Sequence, residues 1–374
     1  MVIAHLLSSY FVGGQERVAL DLATRQSARG HRVMAVSLAP PPEGPLAEEL
    51  RRAGIAAHTV PKLGPSLDPT LPMRLGALLR REGVEVVHAH NPQPLIYGSI
   101  AAKLVGATMI QTRHGVAFHS ERQDWLVRQA TKLVDASVFV SRELATKLGG
   151  AGQEPGKTWV IENGVDLGRF FPDAATRAAV RAELGIPADA QVIGTVSRLV
   201  RTKNVPGLLR AAWPLLGEKV HLVVVGDGPD RQDVEQLVVF TPKAASVHVL
   251  GARNDVGRLL RAFDLFVLFS RTEGHPIVVL EAMATALPVV ATPVGGIPGI
   301  IDDEETGFLV PTDDEEALRG LLTQLLASPQ RLAEVGWRAR AVALERYAAE
   351  RMVDEYLALY ARWGKEWSEW SAPH

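Results

Sequence analysis

Apolar runs of strand length, recurring between longer amphipathic stretches, constrain this chain more than any other feature. In the first half they are "VIAHLL", "HRVMAVSLA", "VEVVHAH", "TMIQTRH", "ASVFVS" and "TWVIENG". A strand apolar on both faces must be covered on both faces, as in parallel sheets wound with helices. The pattern restarts at residue 191 with "QVIGTVS", "HLVVVGDG", "SVHVLGA", "LFVLFS", "PVVAT" and "GFLV". Two such series predict an α/β chain of two Rossmann-like, doubly wound parallel-sheet domains facing a central cleft. At 374 residues the chain is too long for one ordinary core, which agrees. The Gly-, Asp- and Pro-rich stretch "ENGVDLGRFFPDA" reads as the linker, giving domains at 1–165 and 166–349. A final helix at about 350–370 carries Trp363, Trp367 and Trp370 on one face. It is expected to pack back on the first domain, with a membrane-interface anchor as the alternative.

Composition removes several functions. Hydrophobic residues make up 47% and charged residues 22%, as in a globular protein rather than a disordered one. A net charge of −2 argues against nucleic acid as a partner, because phosphate-backbone binding needs a concentrated basic surface. The charge is uneven: 18 Lys and Arg against 14 Asp and Glu in residues 1–165, and 22 against 28 beyond, so the halves carry +4 and −6. There is no cysteine, which excludes disulfides and thiolate catalysis. The start "MVIAHLLSSYFVGG" has no basic region or small-residue cleavage site, and no apolar run approaches the roughly 20 residues of a bilayer span. A cytoplasmic location is expected, with peripheral contact at the inner face of the membrane as an option. Oligomeric state is left open.

Open α/β sheets bind ligands outside the carboxyl ends of their strands. The polar residues just after strands are therefore the candidates: Gly13, Gly14, His88, His90, His114, Ser141, Arg198, Asp227 and Glu273. In "RTEGHPIVVLEAMA", Pro276 is expected at the first position of a helix running to about Ala286, whose free N–H groups suit a phosphate or a hydroxylated ligand. Glu273 and Glu281 then either accept hydrogen bonds from two sets of hydroxyls, such as those of a sugar and a ribose, or serve as a cap and a solvated charge. Arg198 and Lys203, five apart in "GTVSRLVRTKN", suit a diphosphate and would offset charge on a leaving group. Arg201 between them is expected to face solvent.

Weaker signals accompany these. Gly13 and Gly14 permit a sharp turn and close backbone approach, although the spacing is not that of a dinucleotide fingerprint. Gly226 in "VVGDGPDR" either lines a nucleotide site or belongs to a simple turn. His114 either hydrogen-bonds or moves a proton near a sugar, or is a structural histidine. His88 and His90 invite a metal, against which stand the lack of a third ligand spaced nearby and an expected turn at Asn91–Pro92. The "DDEE" runs at 302–305 and 313–316 read as solvated surface, the second as the acidic first turn of a helix beginning near Thr312. No metal site is expected.

Taken in order, "GGQER", "VVHAH", "TRHG", "VFVSREL", "VIENGVDLGRF", "SRLVRTKN", "VVGDGP", "EGHPIVVLEAMA", "PVVATPVGG" and "TGFLVP" span essentially the whole chain. The set resembles the retaining glycosyltransferases of family 4, the group 1 glycosyltransferases of GT-B fold. The resemblance implies that Arg198 and Lys203 bind the donor diphosphate, that Glu273 stands at the donor sugar, and that Glu281 holds the nucleotide ribose. It places His114 near the transferred sugar, the Gly14 backbone near the donor phosphate and acceptor, and the amides of the His275–Pro276–Ile277 turn facing the sugar. The family often has glycine where Ser197, Asn204 and Ala286 stand; if the last position needs positive φ, alanine costs about 1 kcal/mol there.

The implied activity is hexosyl or N-acetylhexosaminyl transfer from a nucleotide sugar with retention, needing no metal or other cofactor. UDP is favoured as the base carrier, with GDP-mannose an alternative. Same-face attack is expected, the departing phosphate taking the acceptor proton, with domain closure about Gly164–Asp166 excluding water. The acceptor is a saccharide, a lipid-linked saccharide or a small molecule, in the setting of cell-surface polysaccharide synthesis. An epimerase on the same fold and a non-catalytic sugar-nucleotide-binding protein are the rival readings.

Overall fold

A computed structural model describes residues 1–64, 66–115, 120–148, 156–240 and 243–363. The chain divides into two units, Met1–Asn163 with Ala349–His374, and Gly164–Ala348. The first holds β1 (Val2–Leu7), β2 (Arg32–Ser37), β3 (Ala56–Thr59), β4 (Val86–Ala89), β5 (Thr108–Arg113), β6 (Ala136–Phe139) and β7 (Thr158–Val160). These pair in parallel in the order β3-β2-β1-β4-β5-β6-β7. The second holds β8 (Gln191–Val196), β9 (Val220–Val225), β10 (Val247–Val249), β11 (Leu265–Leu268), β12 (Val289–Ala291) and β13 (Phe308–Leu309), parallel in the order β10-β9-β8-β11-β12-β13. Both sheets are Rossmann-like, and both reverse their winding direction beside the first strand, which is where such sheets bind ligands.

The apolar runs are explained by two-sided burial. In β9, Leu222 and Val224 join one apolar cluster while Val223 and Val225 join another, because successive side chains point to opposite faces. The first sheet differs on one side. Ala4, Leu6, Val87 and Ala89 join an apolar cluster on one face, whereas the alternate positions His5 and His88, cross-strand partners of β1 and β4, are buried on the other. Helices Gly14–Ala28 and Ala349–Trp363 bring polar groups to these rings. They are joined by the Arg25–Glu350 and Arg29–Asp354 ion pairs, and Tyr356 and Tyr360 of the last helix are buried. Trp363 ends the described part of that helix, its carbonyl accepting from Thr108 Oγ1 at 2.9 Å; Trp367 and Trp370 lie outside the described residues. No helix among the described residues is long and apolar enough to cross a membrane.

Several local expectations need correction. β3 carries no continuous apolar run, since it is a half-exposed edge strand. Asn91–Pro92 starts a helix, Pro92–Val105, rather than a turn. Much of the expected linker is anchored in the second unit: Val165 and Phe170 are buried, and Val165 N–H donates to the Tyr347 carbonyl at 2.8 Å. The helix expected from Pro276 to about Ala286 spans Ile277–Ala284, with Pro276 capping it in extended conformation. It stops short because Ala286 is left-handed, at φ 60°. Helix Pro329–Arg346 packs on that turn so closely that a Cβ on Gly336 would lie 2.2 Å from the Ala286 carbonyl oxygen.

Two outcomes follow. Ala286→Gly relieves the left-handed alanine and should stabilise the protein by about 1 kcal/mol, a rise in Tm of about 2–4 °C, whereas Gly336→Ala should lower Tm. Burial pushes His5 down to about 4 and holds His88 and His90 well below the ordinary histidine range. Between those values and 6.5 the unfolded chain binds more protons than the folded one, so this contribution is full above about pH 6.5 and is lost as pH falls towards 4. Urea midpoints should therefore drop steadily from about pH 7 to about pH 5.

Candidate functional site

The loop after β8 has the loops after β9 and β11 as neighbours, at the reversal point of the second sheet. Lys203 ends a single 3-10 turn, Arg201–Lys203, and Asn204 follows at φ 48°, ψ 39°. Asparagine tolerates the left-handed region, so glycine is not needed here, and the Asn204 amide donates to Asp313 at 3.0 Å. Lys203 Nζ donates to both carboxylate oxygens of Glu273 at 2.6 Å, and the Glu273 side chain is only 5% exposed. Such a carboxylate is tolerable because it is paired. Arg271 stitches the same loops together, its N–H donating to the Thr202 carbonyl at 2.7 Å and its guanidinium to the Arg201 carbonyl at 2.8 Å. Arg201 is exposed. Arg198 is exposed too: its carbonyl accepts from Val200 N–H at 2.9 Å, while its guanidinium has no hydrogen bond or ion pair among the described residues.

Glycines hold this edge together by close backbone approach. A Cβ on Gly295, at φ +58°, would lie 2.1 Å from the Glu273 carbonyl oxygen, and Gly296 N–H donates to the Gly274 carbonyl at 2.6 Å. A Cβ on Gly226, at φ +138°, would lie 1.8 Å from the Ser197 carbonyl oxygen. Gly226 thus lets the loop after β9 press against the backbone beside Arg198. Beyond Glu273, His275 is buried with its ring 5.8 Å from that of Tyr347, and burial, then Arg346, pushes it down to about 3. Pro276 caps the helix that Ile277 begins, and Glu281 is half-buried just over one turn inside it.

In the first unit, Gly13 and Gly14 stand where β1 hands over to helix Gly14–Ala28. The sharp-turn rationale fails: Gly13 has φ −149°, extended backbone open to any residue, and neither glycine is left-handed. What matters is space. A Cβ on Gly13 would meet the Glu16 carboxylate at 2.3 Å, while none at Gly14 would meet an atom within 4 Å. Glu16, buried beneath this turn, accepts from Gln15 Nε2 at 3.0 Å.

His114 follows β5, half-buried, and burial pushes it down to about 4, so its ring is neutral near pH 7. Its Nε2 lies 3.3 Å from His90 Nδ1, His90 Nε2 lies 2.9 Å from His5 Nδ1, and His5 Nε2 lies 2.8 Å from Gln26 Oε1. His88 lies between Tyr360 OH at 2.6 Å and Thr112 Oγ1 at 2.7 Å. Sequence reasoning missed His5, Gln26, Tyr356 and Tyr360. A histidine in the centre of two separate apolar runs was the available signal. His5 also overturns the expectation that no third ligand stands near His88 and His90, since nitrogens of all three come within 4.8 Å of one another. All six ring nitrogens, however, already lie within hydrogen-bonding distance of side chains. The acidic runs serve local structure: Asp314 caps helix Glu315–Leu326 through Ala317 N–H at 2.8 Å, Asp313 accepts from Arg271 at 2.7 Å, and Asp303 accepts from Leu309 N–H at 2.8 Å.

Comparison with known proteins is consistent along both units. The family model described as Glycosyltransferase Family 4 matches residues 12–169, and that described as Glycosyl transferases group 1 matches residues 176–342. N-acetyl-alpha-D-glucosaminyl L-malate synthase of Bacillus anthracis is 26% identical, covering 93% of this chain and 94% of its own. D-inositol 3-phosphate glycosyltransferase of Saccharomonospora viridis is 30% identical, covering 93% and 89%. The crystal structure of HepE of Anabaena in complex with UDP shares the fold, with a TM-score of 0.86 at 23% identity over 97% of this chain and 100% of that one. With both units matched and a relative 30% identical along nearly its whole length, this chain belongs to the family 4, group 1 glycosyltransferases of GT-B fold.

Proposed function

We propose that this glycosyltransferase moves a hexose or N-acetylhexosamine from a UDP-sugar to an acceptor hydroxyl, with retention at the anomeric carbon and without a metal. The observation that carries the reading is the Lys203–Glu273 pair with the unengaged Arg198 on the same loop. A diphosphate leaving group carries charge that must be offset, and Arg198 with Lys203 supplies two cations where other enzymes use a divalent ion. Glu273 is poorly suited to act as a covalent nucleophile, because both of its oxygens are held by Lys203. The acceptor oxygen therefore bonds to the anomeric carbon on the face the diphosphate leaves. The bond to the phosphate oxygen breaks with its electron pair on that oxygen, which takes the acceptor proton.

Glu281 is assigned to the ribose, the His275–Pro276–Ile277 turn to the sugar, and His114 to a hydroxyl of the transferred sugar. Gly14 is assigned to the donor phosphate and acceptor, on the strength of the open space above it. UDP is favoured because the HepE structure was solved with it. The names of the two relatives point to malate and inositol 3-phosphate, acceptors that differ in skeleton and share a hydroxyl. The acceptor is accordingly assigned only as a hydroxyl of a saccharide, a lipid-linked saccharide or a small molecule.

Thermal-shift measurements with UDP and GDP test the donor. At a ligand concentration of 100 times Kd, binding should stabilise the protein by about 2.7 kcal/mol. UDP is expected to give the larger shift, and a shift with GDP alone would overturn the choice of base. Arg198→Ala should weaken UDP binding by about 2 kcal/mol, roughly 30-fold in Kd. Glu273→Gln should stay folded and lose about 100-fold in kcat. Turnover should be unchanged by EDTA, and the product should keep the donor's anomeric configuration by NMR; inversion, or a glycosyl adduct trapped on Glu273, would contradict the mechanism.

A further inference from the structure

We propose that Gln26 is a positioning residue that sets the tautomer of His114 through His5 and His90, leaving His114 Nδ1 as a hydrogen-bond acceptor for a ligand hydroxyl. This rests on the reading that His114 faces the transferred sugar. Gln26 is fully buried on helix Gly14–Ala28, with Oε1 2.8 Å from His5 Nε2. An amide oxygen only accepts, so His5 Nε2 carries the hydrogen, and a neutral imidazole has only one. His5 Nδ1 is then bare and accepts from His90 Nε2 at 2.9 Å. His90 Nδ1 is bare in turn and accepts from His114 Nε2 at 3.3 Å. His114 is left with a bare Nδ1, which has no hydrogen-bond partner among the described residues.

Each step requires neutral rings, and burial keeps all three neutral near pH 7. A second branch leaves the same amide. Gln26 Nε2 donates to Tyr360 OH at 3.4 Å, so the Tyr360 hydrogen goes to His88 Nδ1 at 2.6 Å. His88 Nε2 then donates to Thr112 Oγ1 at 2.7 Å, and Thr112 lies 2.9 Å from Tyr356 OH. Turning the amide over would reverse both branches and give His114 an Nδ1–H, a donor suited to a phosphate or carbonyl oxygen. One buried amide thus decides whether the outer, half-buried end of a three-histidine chain accepts or donates.

The test reads the tautomer directly, by long-range proton–nitrogen spectra of the protein labelled with nitrogen-15 histidine, with His114→Gln used for assignment. The expected wild-type result is His114 protonated at Nε2 only; protonation at Nδ1 overturns the proposal without any variant. Gln26→Leu should leave His114 with mixed tautomers and cut kcat roughly tenfold with little change in donor KM. Gln26→Glu keeps an acceptor opposite His5 Nε2 and should restore the His114 tautomer, while its carboxylate, having no N–H to give Tyr360, reverses the Tyr360–His88 branch. An unchanged His114 tautomer in Gln26→Leu would sink the relay. A tautomer that follows Gln26 while turnover stays constant supports the relay and overturns the placement of His114 at the sugar. Broadening of His5, His88 and His90 by cobalt(II) alone would give those nitrogens to a metal and overturn the proposal.

Discussion

A carboxylate shut away from water is stable only where a cation or several donors meet it, and Glu273 is met at both oxygens by Lys203. Much of the second unit's edge at the strand reversal is arranged around that pair. The two residues come from loops 70 positions apart in sequence, so the ends of β8 and β11 must be held in fixed register for the bond to form. Arg271 ties the two loops by donating to the backbone of Thr202 and Arg201. On the far side, Gly295 and Gly296 press against the backbone at Glu273 and Gly274. A side chain at 295 would push Glu273 away from Lys203, which makes this glycine part of the pair's geometry although it carries no chemistry itself.

The first unit solves a different problem. Its sheet buries two histidines opposite each other in β1 and β4, where an all-apolar face would have been simpler. Buried rings need partners at both nitrogens. Those partners come from elsewhere in the chain: Gln26 from the first helix, Thr112 from β5 and Tyr360 from the last helix, with Tyr356 of that helix bonded to Thr112 in turn. The last helix is thereby a structural member of the first unit, since without it His88 loses a bond inside the core. The histidine face is consistent with the C-terminal tyrosines being buried there rather than displayed to solvent.

The fold class, and the position of polar residues on the edge of the second sheet, were legible in the sequence for one physical reason: two-sided burial writes continuous apolar runs, and the polar loops must follow them. β3 was illegible because an exposed edge strand needs no such run. Arg198, Lys203 and Glu273 could be read singly, but their distances could not, because Lys203 and Glu273 meet only through strand order. The glycines were misread where conformation was invoked at Gly13 and Gly14, which need none. At Gly226 and Gly295 the backbone is pressed against another loop, and that contact is invisible in sequence. Gln26 sits on a helix among other polar residues, and nothing local marks it as buried.

The two units organise their polar groups according to what each would have to recognise on the proposed reading. A diphosphate is charged, and what stabilises it is opposite charge, which Arg198 and Lys203 would supply. A sugar hydroxyl is neutral, and a charged group held beside it would need its own compensation once water is excluded. A chain of neutral rings avoids that cost, because it fixes the direction of a hydrogen bond without fixing a charge. Burial, which lowers the proton affinity of His5, His90 and His114, is then what allows orientation to be transmitted at all. A protonated ring would donate from both nitrogens and erase the direction.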